Sequence, residues 1–424
     1  MKVFVIGSGG REHAICECLK KSPKVDKIFA APANAGIAQI AECVNIGETD
    51  TEKLLDFALN NQIDLTVVGP EISLAAGVAD VFQANGLKIF APTKRAAQIE
   101  SSKEFAKNLM KKYEIPTAEY QVFGDYNAAI QYVTEKGAPI VLKYDGLAAG
   151  KGVVVAQTFD EAKSALEDML LHRKFGDGKV VVEEFLDGQE FSFMCLVNGE
   201  NVFPLELAQD HKRAFDGDKG ANTGGMGAYS PLPFISENDK DFALKNIMQK
   251  TANALISEGC SFCGVLYGGL IKTRNEIKVI EFNARFGDPE TEVVLPRLKS
   301  DLFDIFNDVI DGKMPDIQWN NQCSLGVVLA SKGYPEHYEK GFEIKNLDKL
   351  QDVEIYQMGT KQAGHVVEAG RAIPLLTNGG RVLFITALGD NLKQAREKVL
   401  TEIAKIDCEN LFWRKDIGHQ AINN

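Results

Sequence analysis

Short apolar runs bounded by glycine and proline recur through the first quarter of the chain. Lys2–Ile6 (KVFVI) leads into Gly7–Gly10, Lys27–Ala31 into Pro32–Gly36, Leu65–Val68 into Gly69-Pro70-Glu71, and Lys88–Phe90 into Ala91-Pro92-Thr93. Runs of this length and polarity predict buried strands. Helix-compatible stretches, Ala14–Lys21, Thr51–Asn60 and Leu74–Ala84, fall between them. A repeated strand–loop–helix order predicts a parallel sheet whose ligand loops sit at the carboxyl ends of its strands.

Further along, a helix is predicted over Glu100–Tyr113 and is ended by Ile115-Pro116. Strands are predicted at Ile140–Lys143, Val153–Ala156, Lys179–Val182, Asn201–Leu207, Phe262–Lys272 and around Val279–Asn283. The C-terminal part reads as a helix (Asp301–Ile310), two buried strands (Ser324–Ser331, Arg381–Ala387) and a helix (Leu392–Ile406). One stretch breaks the pattern. Gln209–Pro231 (QDHKRAFDGDKGANTGGMGAYSP) has no apolar period of 2 or 3.6 and reads as a long loop. Loops of that length in compact proteins are functional or disordered. Its mixture of Asp210, Asp216, Asp218 and Asn222 with Lys212, Arg213 and Lys219 suits a substrate carrying both an anion and an amine.

The chain has 424 residues, enough for two to four domains each with a core of its own. A net charge of −12 argues against a general nucleic-acid or membrane-surface binder. No apolar run approaches a membrane-spanning length. The N-terminus runs as a strand into glycines rather than as a cleavable signal. Eight scattered cysteines fit a reducing compartment, and Cys260-Ser-Phe-Cys263, without a second pair, reads as buried thiols rather than a zinc site.

Three segments carry candidate chemistry. Gly7-Ser8-Gly9-Gly10-Arg11-Glu12-His13 follows a strand and opens a helix, an arrangement that can offer N–H groups to a phosphate or serve as a plain turn. Glu12 stands where a dinucleotide fingerprint needs its third glycine, which counts against hydride transfer. Lys143 ends a strand, and Asp145–Gly152 (DGLAAGKG) joins it to the next, as a glycine-rich flap over phosphates or a structural hairpin. Gly152 occupies the Ser/Thr place of a Walker A sequence. Alternation along Val279–Asn283 puts Glu281 and Asn283 on one face, a pair of oxygen ligands suited to Mg²⁺ shared with phosphates. An exposed strand edge is the plainer reading of that pair. If the chain stays extended, Arg285 continues the face.

Gln209–Pro231, together with Glu281–Thr291 (EFNARFGDPET), resembles the signatures of glycinamide ribonucleotide synthetases, an ATP-grasp family, and the resemblance extends over nearly the whole chain. Ala221 replaces a usual proline, Ala33 and Ala91 replace common glycines, and Gly264–Lys272 lacks the acidic metal ligand many grasp enzymes carry there. The resemblance implies an α/β and α+β multidomain protein. Its parts would be an N-terminal parallel-sheet domain (1–102), an ATP-grasp domain (103–324) with a flexible lid at about 121–188, and a small C-terminal domain (325–424). It implies ATP-dependent joining of glycine to 5-phosphoribosylamine through glycyl phosphate in de novo purine biosynthesis, with Mg²⁺ or Mn²⁺, by a cytoplasmic monomer.

ATP would be held by Lys103, Lys143, Gly146, Gly150, Lys151, Gly152, Glu183, Glu184, Phe185, Leu186 and Glu190, and the metal by Glu281 and Asn283. The substrates would meet Gly9, Gly10, Arg11, Asn34, Glu71, Asp210, Lys212 and Arg285. Lys143, Asp210, Lys212 and Arg285 would take part in catalysis. Gly379 and Gly380 read as a hairpin turn. Another carboxylate–amine ligase of the superfamily, or a nucleotide sensor without catalysis, stays open as an alternative.

Overall fold

The computed structural model describes residues 1–148, 152–364 and 373–422. Compactness divides the chain into two units, neither of them continuous in sequence. One comprises Met1–Ala91, Leu205–Ile235 and Arg285–Asn424, the other Pro92–Pro204 and Ser236–Ala284. The expected boundaries at 102/103 and 324/325 cut the chain differently, because Leu205–Ile235 and the segment from Arg285 pack with the N-terminal residues.

In the first unit the predicted parallel sheet is present. Lys2–Gly7 lies at its centre, flanked by Lys27–Pro32 and then Glu42–Cys43 on one side, and by Leu65–Val68 and then Ile89–Phe90 on the other. Val3, Phe4, Val5 and Ile6 are fully buried, as the unbroken apolar run of a parallel strand requires. The helix expected over Leu74–Ala84 is two helices, Glu71–Ala76 and Val78–Ala84, separated by Gly77 at φ 89°.

A second, antiparallel sheet of this unit runs in the order Gln209–Asp210, Gly227–Ser230, Cys323–Ser331, Arg381–Gly389, Glu354–Gln357, with Leu411–Phe412 also on Cys323–Ser331. Gln209–Pro231 is therefore not one loop. Its ends are strands of this sheet, and between them Arg213–Phe215 and Lys219–Asn222 form a bulged two-stranded hairpin. Strands of two to four residues with polar tips carry no readable period, and the partner of Gly227–Ser230 begins only at Cys323. The hairpin is held by the almost fully buried Arg414, whose guanidinium lies 2.9 Å from Asp218 and 2.8 Å from Asp416 and donates to the Arg213 carbonyl at 3.0 Å.

The second unit has two antiparallel sheets. Tyr120–Phe123, Val180–Glu184, Ile140–Tyr144 and Val153–Ala156 form one, closed by a core that includes Val133, Leu142, Ala162, Leu166 and Val182. Asn201–Pro204, Gln189–Asn198, Cys263–Lys272 and Ile277–Asn283 form the other. The helix expected over Glu100–Tyr113 starts afresh at Ser102, whose hydroxyl accepts from the Phe105 N–H, and runs Lys103–Lys112. All eight cysteines are free, with Cys260 buried and Cys263 half-buried.

Candidate functional site

In the second unit, Lys143 is the penultimate residue of Ile140–Tyr144, with its ammonium buried. It donates to the Ile280 carbonyl at 2.8 Å and lies 3.1 Å from Glu183 Oε1. Glu183 is itself almost fully buried, and its Oε2 is 2.7 Å from Lys107 Nζ. Lys107 escaped the sequence reading. It lies four residues after Lys103 and so one helical turn along the same face, the signal that could have found it. Lys103 donates to the Gly146 carbonyl at 3.0 Å, and Asp145 receives the Lys103 and Glu104 N–H groups at 2.6 and 3.1 Å, tying the helix start to the glycine-rich connection. Burial lowers the Lys103 pKa, Glu281 opposes that shift, and Lys143 reinforces it.

The connection is closed by the Tyr144 N–H on the Gly152 carbonyl, 2.8 Å, and Gly150 and Lys151 lie outside the described residues. Beyond Glu183, Glu184 pairs with Lys278 at 3.0 Å, Phe185 exposes 39% of its surface, and Leu186 is half-buried. Glu190 is exposed on Gln189–Asn198, opposite Ile271.

Glu281 and Asn283 lie two apart on Ile277–Asn283, opposite Gly269 and Tyr267. The strand stops at Asn283, so Arg285 does not continue its face as expected. The Ala284 N–H is taken by the Glu100 carboxylate at 2.7 Å, another contact absent from the sequence reading. Among the described residues no group of three or more His, Cys, Asp or Glu side chains could hold a metal. One carboxylate and one amide oxygen do not make a free-standing site. They fit a Mg²⁺-like ion that takes its other oxygens from phosphates and water.

In the first unit, the loops after the parallel strands meet the second sheet around a cavity of about 320 Å³ lined by Ser8, Gly9, Ala33, Asn34, Asp288, Met358, Gly359, Thr360, Asn378, Gly379 and Arg381. Gly379, expected only as a turn, lines it. Arg381 sits 2.8 Å from Asp288 Oδ1 and donates to the Gly224 carbonyl at 2.6 Å. Ala33 adopts φ 67°, the left-handed conformation that favours glycine.

Asn34 reaches the cavity with its amide fully used. Nδ2 donates to the Ser8 and Gln357 carbonyls, both at 2.7 Å, and Oδ1 accepts from the Gly36 and Ile37 N–H groups at 2.8 and 2.9 Å. It shapes the loop. The Gly9 N–H, expected to face a phosphate, is taken by Glu12 Oε2 at 2.6 Å, and Glu12 Oε1 takes Arg11 Nε at 2.6 Å. A Cβ at Gly69 would overlap the Glu12 carboxyl, and one at Gly7 would lie 2.6 Å from Glu12 Cγ. Glu12 thus fills the space beside Gly7 and Gly69 and uses the Gly9 N–H itself.

Beneath Gly10 lies Glu292, fully buried and with no hydrogen-bond partner on either oxygen among the described residues. Burial, and then Asp288, push its carboxyl well above the usual range. Glu71 Oε2 lies 3.5 Å from Arg285 Nε; Arg285 and then Arg11 hold its pKa down against burial. Asp210 and Lys212 flank the buried His211 on an extended stretch, which puts both half-buried side chains opposite it. Burial pushes His211 down to about 3, with Arg414 second in effect, and its Nε2 accepts from the Gly418 N–H at 3.2 Å.

Family models described as Phosphoribosylglycinamide synthetase match most of the chain: the N domain over 1–100, the ATP-grasp (A) domain over 101–291 and the C domain over 324–420. A phosphoribosylamine–glycine ligase of Halalkalibacterium halodurans is 52% identical over 425 residues, covering 100% of this chain and 97% of the relative. One from Streptococcus pneumoniae is 49% identical, with 100% of both covered. The crystal structure of phosphoribosylamine–glycine ligase from Thermotoga maritima superposes with a TM-score of 0.84 at 31% identity, over 98% of this chain and 100% of that one. Biotin carboxylase from Campylobacter jejuni, at 15% identity and a TM-score of 0.72 over 100% of this chain and 95% of that one, shares the fold alone. With all three domain models matched and about half its residues shared with these ligases over the full length, the chain belongs to the phosphoribosylglycinamide synthetase family.

Proposed function

We propose that the chain joins glycine to 5-phosphoribosylamine at the expense of ATP, giving glycinamide ribonucleotide, ADP and phosphate in purine biosynthesis. The observation that carries this reading is full-length agreement with ligases of that name at 49 to 52% identity. The chemical obstacle is that a carboxylate is a poor electrophile. Moving the γ-phosphoryl group of ATP onto a glycine carboxylate oxygen forms glycyl phosphate. Attack of the ribosylamine nitrogen on its carbonyl carbon then forms the amide and expels phosphate, with the nitrogen's proton lost to solvent. Positioning and charge stabilisation are what such a path asks of a protein.

In this reading the buried Lys143 and the partly desolvated Lys103 face nucleotide phosphate, and Phe185 and Leu186 border its base. A divalent cation, Mg²⁺ or Mn²⁺, held by Glu281 and Asn283 would supply neutralisation of phosphate charge. Arg381 and the backbone around Gly9 and Gly379 offer the ribose phosphate a cavity of suitable size. Asp210, Lys212 and Arg285 serve the amine and carboxylate of the substrates. The acceptors are small molecules and no nucleic acid is involved; a reducing, cytoplasmic compartment fits the eight free thiols, and the protein acts as a monomer in this reading. No described helix is long and apolar enough to cross a membrane.

Following ADP release while omitting each substrate in turn tests the reaction. ADP is expected only when ATP, glycine and the ribosylamine are all present; equal release with glycine withheld, or with another amino acid in its place, would overturn the assignment. Arg285→Lys tests the acceptor. A guanidinium can clamp a carboxylate with two parallel hydrogen bonds and an ammonium cannot. The KM for glycine is expected to rise about tenfold or more and kcat to fall, with ATP affinity unchanged. A variant with normal glycine kinetics but a lower melting temperature would assign Arg285 to its ion pair with Glu71 instead.

A further inference from the structure

The nucleotide residues contain a buried arrangement that the mechanism above does not use. Glu183, 3% exposed, lies between two lysines that are themselves 2% (Lys107) and 4% (Lys143) exposed. Its two oxygens are not equivalent. Oε2 is 2.7 Å from Lys107, whereas Oε1, 3.1 Å from Lys143, accepts no hydrogen bond among the described residues. Lys107 is anchored in turn: its ammonium donates to Thr117 Oγ1 at 2.8 Å, and that hydroxyl donates to the Val279 carbonyl at 2.8 Å, on the strand that carries Glu281.

We propose that Lys107 is a positioning residue for the nucleotide: by fixing one oxygen of Glu183 it sets the other against Lys143, and so holds the Lys143 ammonium at the Ile280 carbonyl. The inference rests on Lys143 and Glu183 serving the nucleotide, and adds the group that arranges them. A carboxylate with one fixed oxygen has one orientation. Without that hydrogen bond it can turn about its own axis, and Lys143 loses a defined counter-charge while staying buried, where an unpaired charge is costly.

Charge makes the arrangement sensitive to pH. Burial pushes Lys107 down to about 8, Glu183 opposes the shift, and Lys143 adds to it. The other groups facing Lys107 are Glu184, which is paired with Lys278, and the Tyr120 ring, with its centroid 5.9 Å away. Below about pH 8 Lys107 is charged and grips Glu183; above it the grip is lost. Stability runs the other way. Between about 8 and 10.5 the unfolded chain holds this proton and the folded chain does not, so this group's contribution to stability rises with pH.

The test is ADP binding by calorimetry at fixed Mg²⁺ from pH 6.5 to 9.5, with thermal unfolding in parallel, for the wild type, Lys107→Arg and Lys107→Met. The wild-type dissociation constant is expected to rise above pH 8 and to level off about tenfold higher, once Lys107 is neutral. Arginine stays charged throughout, so Lys107→Arg should bind near the wild-type level at pH 7 and lack that rise. Lys107→Met should bind about tenfold more weakly at pH 7, again without the rise. A flat wild-type profile, or a rise that persists unchanged in Lys107→Arg and so belongs to a group such as Lys103, would overturn the proposal. So would variants altered only in melting temperature. If Lys107→Met fails to fold, the wild-type and Lys107→Arg profiles decide. A wild type that binds no ADP at any pH would instead overturn the nucleotide assignment itself.

Discussion

Glu281→Gln is expected to fold normally and to lose about two to three orders of magnitude in kcat, the scale seen when one preorganised electrostatic contact is removed from a reaction that develops charge. Glutamine keeps the shape and one acceptor oxygen, so the change isolates charge. Glu281 and Asn283 supply one negative charge between them, and no acidic cluster stands nearby among the described residues to compensate. Affinity for the divalent ion should fall, and raising Mg²⁺ should restore part of the activity. Glu281 is also the main influence holding the proton on the half-buried Lys103, so the variant should lose activity at lower pH than the wild type as pH is raised. Mg²⁺ titrations of the initial rate, repeated across pH, measure both effects, and wild-type rates at low Mg²⁺ would remove Glu281 from the metal assignment.

Glu12→Ala should act on stability instead. Its carboxylate holds the Gly9 N–H and the Arg11 guanidinium in a position only 1% exposed. Truncation leaves a buried N–H without its acceptor, a cavity under Gly7 and Gly69, and Arg11, 7% exposed, with only the Phe286 carbonyl at 3.1 Å, among the described residues, and charges further off. Breaking a buried ion pair from one side costs about 3–5 kcal/mol. At about 2–4 °C per kcal/mol for a unit of this size, the melting temperature should fall by roughly 10 °C. Both tryptophans, Trp319 and Trp413, lie in the same unit, so their fluorescence reports its unfolding. Glu12→Gln, which keeps the cap and loses the charge, should fall between. Unchanged stability in Glu12→Ala would mean that water replaces the carboxylate at no cost.

The legibility of the chain followed the range of the forces involved. Lys2–Ile6 announced a buried strand of a parallel sheet because burial on both faces demands an unbroken apolar run, and the structure buries Val3–Ile6 completely. Glu281-Phe-Asn283 was readable because strand alternation is local. That alternation could not say where the strand would stop, and the face assigned to Arg285 ended with it. Gln209–Pro231 looked like a loop because its order comes from residues far along the chain, the strand Cys323–Ser331 and the guanidinium of Arg414. Glu12, read only as a glycine that was missing, proved to pack its carboxyl against Gly7 and Gly69. Arg381 and Asp288 meet through folding alone and left no local trace.

The path of the backbone between the two compact units has a consequence for how the protein is made. The chain passes from one to the other at 91/92, 204/205, 235/236 and 284/285. As it leaves the ribosome, Gly227–Ser230 is exposed well before Cys323–Ser331, the strand it must pair with, and Leu411–Phe412 comes later still. The first-made stretch, Met1–Ala91, therefore belongs to a body that is completed last. Until then, short open strand edges wait for partners not yet synthesised, the condition under which nascent chains associate wrongly and call on chaperones.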